Sequence, residues 1–256
     1  MTHMQKAAGV LAQAKRIVFF TGAGISAESG IPTFRDKLTG LWANHDPERL
    51  ETADAFRENP ALVWGWYLWR RRQVTLAQPN AGHHSISNLK EVGWDVSVIT
   101  QNIDDFHERA GVDAVVHLHG SLLDVKCFAC HRPIALEPEQ LSISKEGELV
   151  EPPRCCRCNG RARPGVVWFR ENLPEDAWLS AMRLVRDCDV LISVGTSGVV
   201  RPAADLPEMA IRANATVIHV NLEDVSLGGD REIMLIGSAA QVLPELLGGL
   251  GVKKRS

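Results

Sequence analysis

The chain has 256 residues, of which 45% are hydrophobic and 23% charged, and its formal net charge is −3. That length buries a sizeable core and leaves room for one large domain with an inserted module. The slight acid excess argues against a broad nucleic-acid surface, which needs concentrated basic charge. There is no run of 18 apolar residues, and the N-terminal MTHMQKAAGVLAQAKR lacks the apolar stretch of a secretory signal. A cytoplasmic protein with no membrane contact is therefore expected.

Residues 4–15 have helical periodicity, with Met4, Ala8, Leu11 and Ala12 on one face. An apolar strand starting at Ile17 then runs into Gly22-x-Gly24-x-x-Ala27. Glycine allows a tight turn and close backbone approach to a pyrophosphate, and a helix starting near Ser26 and Glu28 would offer unpaired N–H groups. Taken alone, the motif could equally be a tight turn. Residues 38–79 have no strand pattern and are rich in Trp, Ala, Glu and Arg, with helix-start signals at Thr52 and at Asn59-Pro60. They read as a helical insert.

Four later apolar strands also end in compact polar clusters. Residues 96–99 lead into Thr100-Gln101-Asn102-Ile103-Asp104, and residues 114–118 lead into His119-Gly120-Ser121. Residues 190–194 lead into Gly195-Thr196-Ser197, and residues 217–220 into Asn221-Leu222-Glu223. In an open parallel sheet, ligands bind beyond the carboxyl ends of the strands, so five such exits predict one large polar site. The alternation of strands and helices predicts an α/β fold, a doubly wound parallel sheet made from residues 1–37, 80–126 and 162–256 and interrupted by residues 38–79 and 127–161.

That last segment carries Cys127-x-x-Cys130 and Cys155-x-x-Cys158. Two such pairs make a zinc-ribbon signature, since each turn presents two thiolates to one tetrahedral ion. Four thiolates close the coordination sphere, so one structural zinc is expected. Cys156 is a spare candidate whose spacing to Cys158 is too tight, and Cys188 reads as a core thiol.

Of nine histidines, His119 stands out: it lies at a strand exit, and the Gly120 that follows allows a ligand to come close. An imidazole there can act as a general base near neutral pH. His117 lies deeper on the same strand and reads as packing or support, and His83, His84 and His107 as helix-start or helix-face residues. Asn102 and Asp104 fit either a helix cap or ligand contacts, and their convergence with Gly22 and His119 favours the ligand role. Tyr67 and Arg70 are spaced i, i+3 on one helix face. They could be core and a solvated basic face, or a phenol and a guanidinium arranged to receive a carboxylate.

GAGISAESGIPTFRD, TQNIDDFHERAG, HLHGS, the two Cys pairs, PGVVWFRE, VGTSGVVRPAA and VNLE together resemble, in order, the sirtuin family of NAD-dependent protein lysine deacylases. The resemblance covers nearly the whole chain and is class III-like, and it implies a Rossmann-like domain, residues 1–37, 80–126 and 162–256, with a smaller domain formed by the helical insert, 38–79, and the zinc ribbon, 127–161. It implies that Gly22, Ala23, Gly24, Phe34 and Arg35 line the NAD phosphate and nicotinamide region. Gln101, Asn102, Ile103 and Asp104 would surround the nicotinamide and its ribose, and Gly195, Thr196, Ser197, Asn221, Leu222 and Glu223 the adenosine half, with Ala239 near the adenine. Val167 and Trp168 would contact the acyl-lysine protein or peptide substrate, and Cys127, Cys130, Cys155 and Cys158 would hold zinc.

The resemblance also implies that NAD is consumed. The acyl oxygen attacks the nicotinamide ribose, nicotinamide leaves, and His119, with Asn102 beside it, acts as general base on the way to free lysine and O-acyl-ADP-ribose. Class III likeness adds desuccinylase or demalonylase activity, with Tyr67 and Arg70 gripping the distal carboxylate. Mono-ADP-ribosyl transfer to protein is the alternative reading. Three positions depart from the family pattern: Arg170 stands where glycine is usual, Arg201 where a tyrosine or an apolar residue is common, and Gly165 where histidine is frequent. Arg170 and Arg201 are expected to bias the enzyme toward acidic flanking sequence or a restricted substrate set.

Overall fold

The structure is a computed structural model that describes residues 2–31 and 47–250. Phe34 and Arg35, and the first part of the expected helical insert, lie outside the described residues. The strands, in chain order, are β1 (Arg16–Thr21), β2 (Asp95–Thr100), β3 (Val115–His117), β4 (Gly120–Cys127), β5 (Ala162–Val166), β6 (Val190–Val194), β7 (Thr216–Asn221) and β8 (Glu232–Ile236). The main helices are α1 (His3–Gln13), α2 (Pro47–Leu50), α3 (Ala53–Glu58), α4 (Pro60–Leu76), α5 (Ala81–Glu91), α6 (Phe106–Arg109), α7 (Glu175–Asp187), α8 (Leu206–Arg212) and α9 (Ala239–Gly248).

Six strands form one parallel sheet in the order β3-β2-β1-β6-β7-β8. Its strands are apolar almost throughout because both faces are covered. Alternate residues of β1 show this: Phe19 packs into a core with Leu11, Ile86 and Leu243 of α1, α5 and α9, while Val18 and Phe20 pack on the other face with Val185 and Ala210 of α7 and α8. The expected strands and their polar exits are all present. β8 is an addition that sequence pattern did not single out, and on α1 the buried positions are Ala7 and Leu11, whereas Ala12 is exposed.

The chain order reverses between β1 and β6, and the two polar exits on either side of that point touch. A Cβ on Gly24 would lie 2.6 Å from Gly195 Cα, and one on Gly22 would lie 2.8 Å from Gly195 O. Gly24 N–H donates to that same carbonyl at 3.0 Å. The glycines are thus required first by packing of one loop on another, a reason that differs from the pyrophosphate approach inferred from the motif. Nor does an α-helix follow the turn: Ala23–Ile25 and Ala27–Ser29 are short 3-10 turns.

β4 and β5 pair antiparallel in a separate two-stranded sheet, and the four cysteines lie between and beside them. The expected helix starts are real caps, with Thr52 Oγ1 accepting from Ala55 N–H and Asn59 Oδ1 from Leu62 N–H. α4 packs on the hairpin through two clusters, Tyr67 with Leu122, Val166 and Trp168, and Trp64 and Leu68 with Val125 and Ala162. Gly65 sits in the middle of α4 because the Glu148 carbonyl passes through the place a Cβ would take.

His83 and His107 are buried with their rings 5.1 Å apart. Burial lowers the His83 imidazole to about 3, helped by His84, and burial also lowers that of His107, helped by His83 and His117. The unfolded chain therefore takes up these protons first, so the stability they confer is complete above pH 6.5 and falls as pH drops below it. For His83 alone, unfolding free energy should drop by about 2 kcal/mol between pH 7.5 and 5.0. Urea titrations at both pH values should show that drop, and it should shrink in His83→Gln.

Candidate functional site

Gln101 follows β2 directly, and its N–H donates to Thr21 O at 2.9 Å, continuing the β1–β2 ladder into the loop. Its carbonyl faces the ring of His119, with Nδ1 at 2.9 Å. A carbonyl can only accept, so this contact places the proton on Nδ1 and leaves the Nε2 lone pair available. Burial lowers the His119 pKa, with the Gln101 carbonyl opposing it, so the ring is neutral at physiological pH. A neutral imidazole in that tautomer can accept a proton.

The neighbouring loop forms a connected polar network. Ser26 Oγ donates to Asp104 Oδ2 at 2.9 Å and accepts from Asn102 Nδ2 at 3.0 Å. Asp104 Oδ1 accepts the Phe106 N–H at 3.2 Å, so it is Asp104 that caps α6, while Asn102 points into the network. Burial raises the Asp104 pKa against the pull of these two hydrogen bonds. His117 stands behind the loop, its Nε2 2.6 Å from Glu108 Oε1 and its Nδ1 3.4 Å from Asn102 O. Burial pulls its pKa down, but the Glu108 hydrogen bond and charge outweigh this and raise it. This matches the supporting role expected of His117.

Across the switch point, Thr196 is buried and its carbonyl accepts from Asn221 Nδ2 at 2.8 Å, tying the β6 exit to the β7 exit. Asn221 Oδ1 in turn accepts the Leu222 N–H. Ser197 is half-buried, and Leu222 and Glu223 are exposed. Ala239 opens α9, buried against the backbone at Gly82. The Glu28 carboxylate accepts Ala240 N–H and the Ser238 hydroxyl, closing the N-terminus of that helix. The residues expected from the five strand exits thus fall into two linked groups, 22–26 with 101–104 and 119, and 195–197 with 221–223. Half-buried backbone at Ala23 and Gly24 and a donor set of hydroxyls, amides and carboxylates at a switch point fit a dinucleotide such as NAD.

A third group was only partly legible. Residues 167–169 are tied in succession: Val167 N–H donates to His119 O at 2.8 Å, Trp168 Nε1 to Tyr67 Oη at 2.9 Å, and Phe169 N–H to Glu51 O at 2.9 Å. The segment therefore connects His119 to Tyr67, and Tyr67 lies one helical turn from Arg70, which pairs with the Glu51 carboxylate. Glu51 carried no motif in the sequence. Its place between Leu50 and the Thr52 cap gives no sign that its carboxylate turns inward.

The two arginine departures from family pattern also have a place. Arg170 is exposed and has a φ of 70°, the left-handed region that glycine adopts without cost. Arg201 is exposed and pairs with Asp205 at 2.7 Å. Arg170→Gly should gain roughly 1 kcal/mol by relieving the left-handed strain, seen as a higher urea midpoint. A lower midpoint would mean that the arginine side chain offsets the strain.

The four cysteine sulfurs, Cys127, Cys130, Cys155 and Cys158, lie within 4.8 Å of one another. Two pairs are separated by 3.4 and 4.0 Å, close to the ~3.8 Å edge of a tetrahedron with Zn–S near 2.3 Å. Cys156 is exposed and outside the cluster, and Cys188 is a buried thiol donating to Val185 O. These residues fit one structural zinc. Metal analysis should give one zinc per chain, and Cys155→Ser should lose it together with a large fall in Tm.

The Sir2 family model matches residues 22–202. An NAD-dependent protein deacylase of Pseudomonas putida is 69% identical over 252 residues, 98% of this chain and 96% of that protein. One from Pseudomonas aeruginosa, NAD-dependent protein deacylase 1, is 52% identical over 250 residues, 95% of this chain and 98% of that protein. Among solved structures, a Sir2 homologue in complex with NAD is 42% identical with a TM-score of 0.86, covering 96% of this chain and 93% of that one. A Sir2 protein bound to a myristoylated histone peptide is 35% identical with a TM-score of 0.75, covering 96% and 95%.

Proposed function

Since the chain belongs to the Sir2 family, we propose that it is an NAD-dependent protein deacylase that takes acyl-lysine proteins or peptides as substrate. The observation that carries this reading is the Gln101–His119 contact, which leaves Nε2 as a proton acceptor and is made by the same loop, 101–104, that holds Asn102 and Asp104 in the Ser26 network. NAD, when bound, supplies an activated ribose carbon with nicotinamide as leaving group.

His119 would accept a proton at Nε2 as general base toward the bound NAD ribose, with Gln101 O holding the ring at the opposite nitrogen. Asn102, next to Gln101 on the same loop, is fixed by its amide bond to Ser26, and Asp104 holds Ser26 in turn. The exits at Gly195, Thr196, Ser197, Asn221 and Glu223 offer contacts for the adenosine half. Phe34 and Arg35 are proposed nicotinamide-side contacts from sequence alone. Val167 and Trp168 are proposed substrate contacts, supported by the backbone bond from Val167 to His119. Tyr67 and Arg70 are proposed contacts for the far end of the acyl chain. Among the described residues no helix is long and apolar enough to cross a membrane, and a cytoplasmic setting is part of the proposal.

His119→Ala should lower kcat/KM for an acetyl-lysine peptide by about 10²- to 10⁴-fold. The acid limb of the wild-type pH profile should lie below 6.5, the ordinary imidazole value, because the ring's pKa is lowered. Product analysis should find nicotinamide, O-acyl-ADP-ribose and free lysine in equal amounts. ADP-ribose retained on protein instead would favour the transferase reading.

A further inference from the structure

The fork expected to receive an acyl carboxylate already faces one from the chain itself. Arg70 Nη1 pairs with Glu51 Oε1, and both side chains are largely withdrawn from water, 18% and 6% exposed. Tyr67, the other expected contact, is buried and its hydroxyl already accepts from Trp168 Nε1. We propose that Glu51 is a specificity-determining residue that occupies the Arg70 guanidinium and sets the acyl end of the site for uncharged chains. The proposal rests on the deacylase reading and narrows it, against the preference for anionic acyl groups that Tyr67 and Arg70 suggest by themselves.

The argument is one of charge count in a buried place. Arg70 with Glu51 is a neutral pair, whereas adding a substrate carboxylate leaves one uncompensated negative charge near Glu51. Like charges at close range in a poorly hydrated site disfavour each other strongly. The substrate carboxylate would also have to break an existing charge-assisted hydrogen bond to gain one, so no bond is added to offset its loss of water. Burial raises the Glu51 carboxyl pKa and the Arg70 guanidinium beside it opposes that rise. The Glu51 carbonyl is also bonded to Phe169 N–H, which fixes its backbone against the same segment whose first residue is bonded to His119. Glu51 is therefore held where a change of charge is felt along the acyl channel and not at the protein surface. An uncharged acyl chain leaves the pair intact.

Two peptides that differ only in charge test this: succinyl-lysine and its neutral isostere succinamoyl-lysine, with acetyl-lysine as reference. For the wild type, kcat/KM for the amide should exceed that for the carboxylate at least tenfold. Glu51→Gln, which keeps shape and removes charge, should raise the succinyl-to-acetyl ratio at least tenfold, and Arg70→Met added to it should cancel the gain. A wild-type preference for the carboxylate, or a ratio that Glu51→Gln leaves unmoved or lowers, would overturn the assignment. Should Glu51→Gln fail to fold, the wild-type amide-to-carboxylate comparison decides alone. Calorimetric binding of the same peptides reads selectivity without turnover. If no acyl group is removed from any of them, the deacylase reading fails while this inference is still decided.

Discussion

The architecture turns on the contact between the Gly22–Gly24 turn and Gly195. Chain order in the sheet reverses between β1 and β6, the switch point beyond which open α/β sheets bind their ligands. Any side chain at Gly22 or Gly24 would collide with the backbone of Gly195 at less than 3 Å. With the contact made, Gly22 N–H and Gly24 N–H are satisfied by Val194 O and Gly195 O, and both strand exits become one rigid floor. The Ser26 network and the Asn221 amide then stand on fixed supports, which a site needs if its polar groups are to be positioned before a ligand arrives.

The other half of the site depends on how a second unit is fastened to that floor. Trp168 is clamped from two sides: its indole N–H is bonded to Tyr67 of α4, and the Arg163 guanidinium lies 3.4 Å from the centre of its ring. Arg163 is buried and grips Glu171 through two bonds of 2.6 and 2.9 Å, while Glu171 Oε2 also accepts the Trp168 N–H. Against the upward push of burial, these bonds hold the Glu171 carboxyl below its ordinary value. The strand exit beyond β5 is thus stiff where it meets His119, and Trp168 is one of the points at which the helical insert meets the hairpin.

Much of this was legible in the chain. Apolar runs ending in Gly, Ser, Asn and Asp gave five of the six sheet strands, and paired cysteines at a two-residue spacing gave the metal cluster, because both patterns have few other physical uses. β8 was harder to see: Glu232, its first residue, is a buried carboxylate bonded to His219 on β7, which reads in sequence as a polar interruption. The turn after Gly22 was misread as a helix start because the motif's spacing specifies a tight turn and leaves the backbone beyond Ala27 undetermined. Glu51 was invisible for a related reason. Its role depends on Arg70, 19 residues away on α4, and no local pattern distinguishes an inward from an outward glutamate.

The buried charges nevertheless follow one rule that connects the two halves. Near His119 the ionisable groups are kept neutral or bound within a network: the lowered pKa of His119, and Asp104 held by Ser26 and by the α6 N-terminus. Behind residues 167–169 two largely buried arginines keep their charge in pairs, Arg70 with Glu51 and Arg163 with Glu171. A buried pair contributes little net stability and is far more costly when one member is removed. Its consequence here is selectivity of position: each pair fixes a backbone carbonyl or an aromatic ring without leaving a free charge beside the crevice. A site arranged in this way can hold a strongly polar ligand at the glycine floor while keeping its inner end electrically balanced, so the group that enters that end is chosen by its charge.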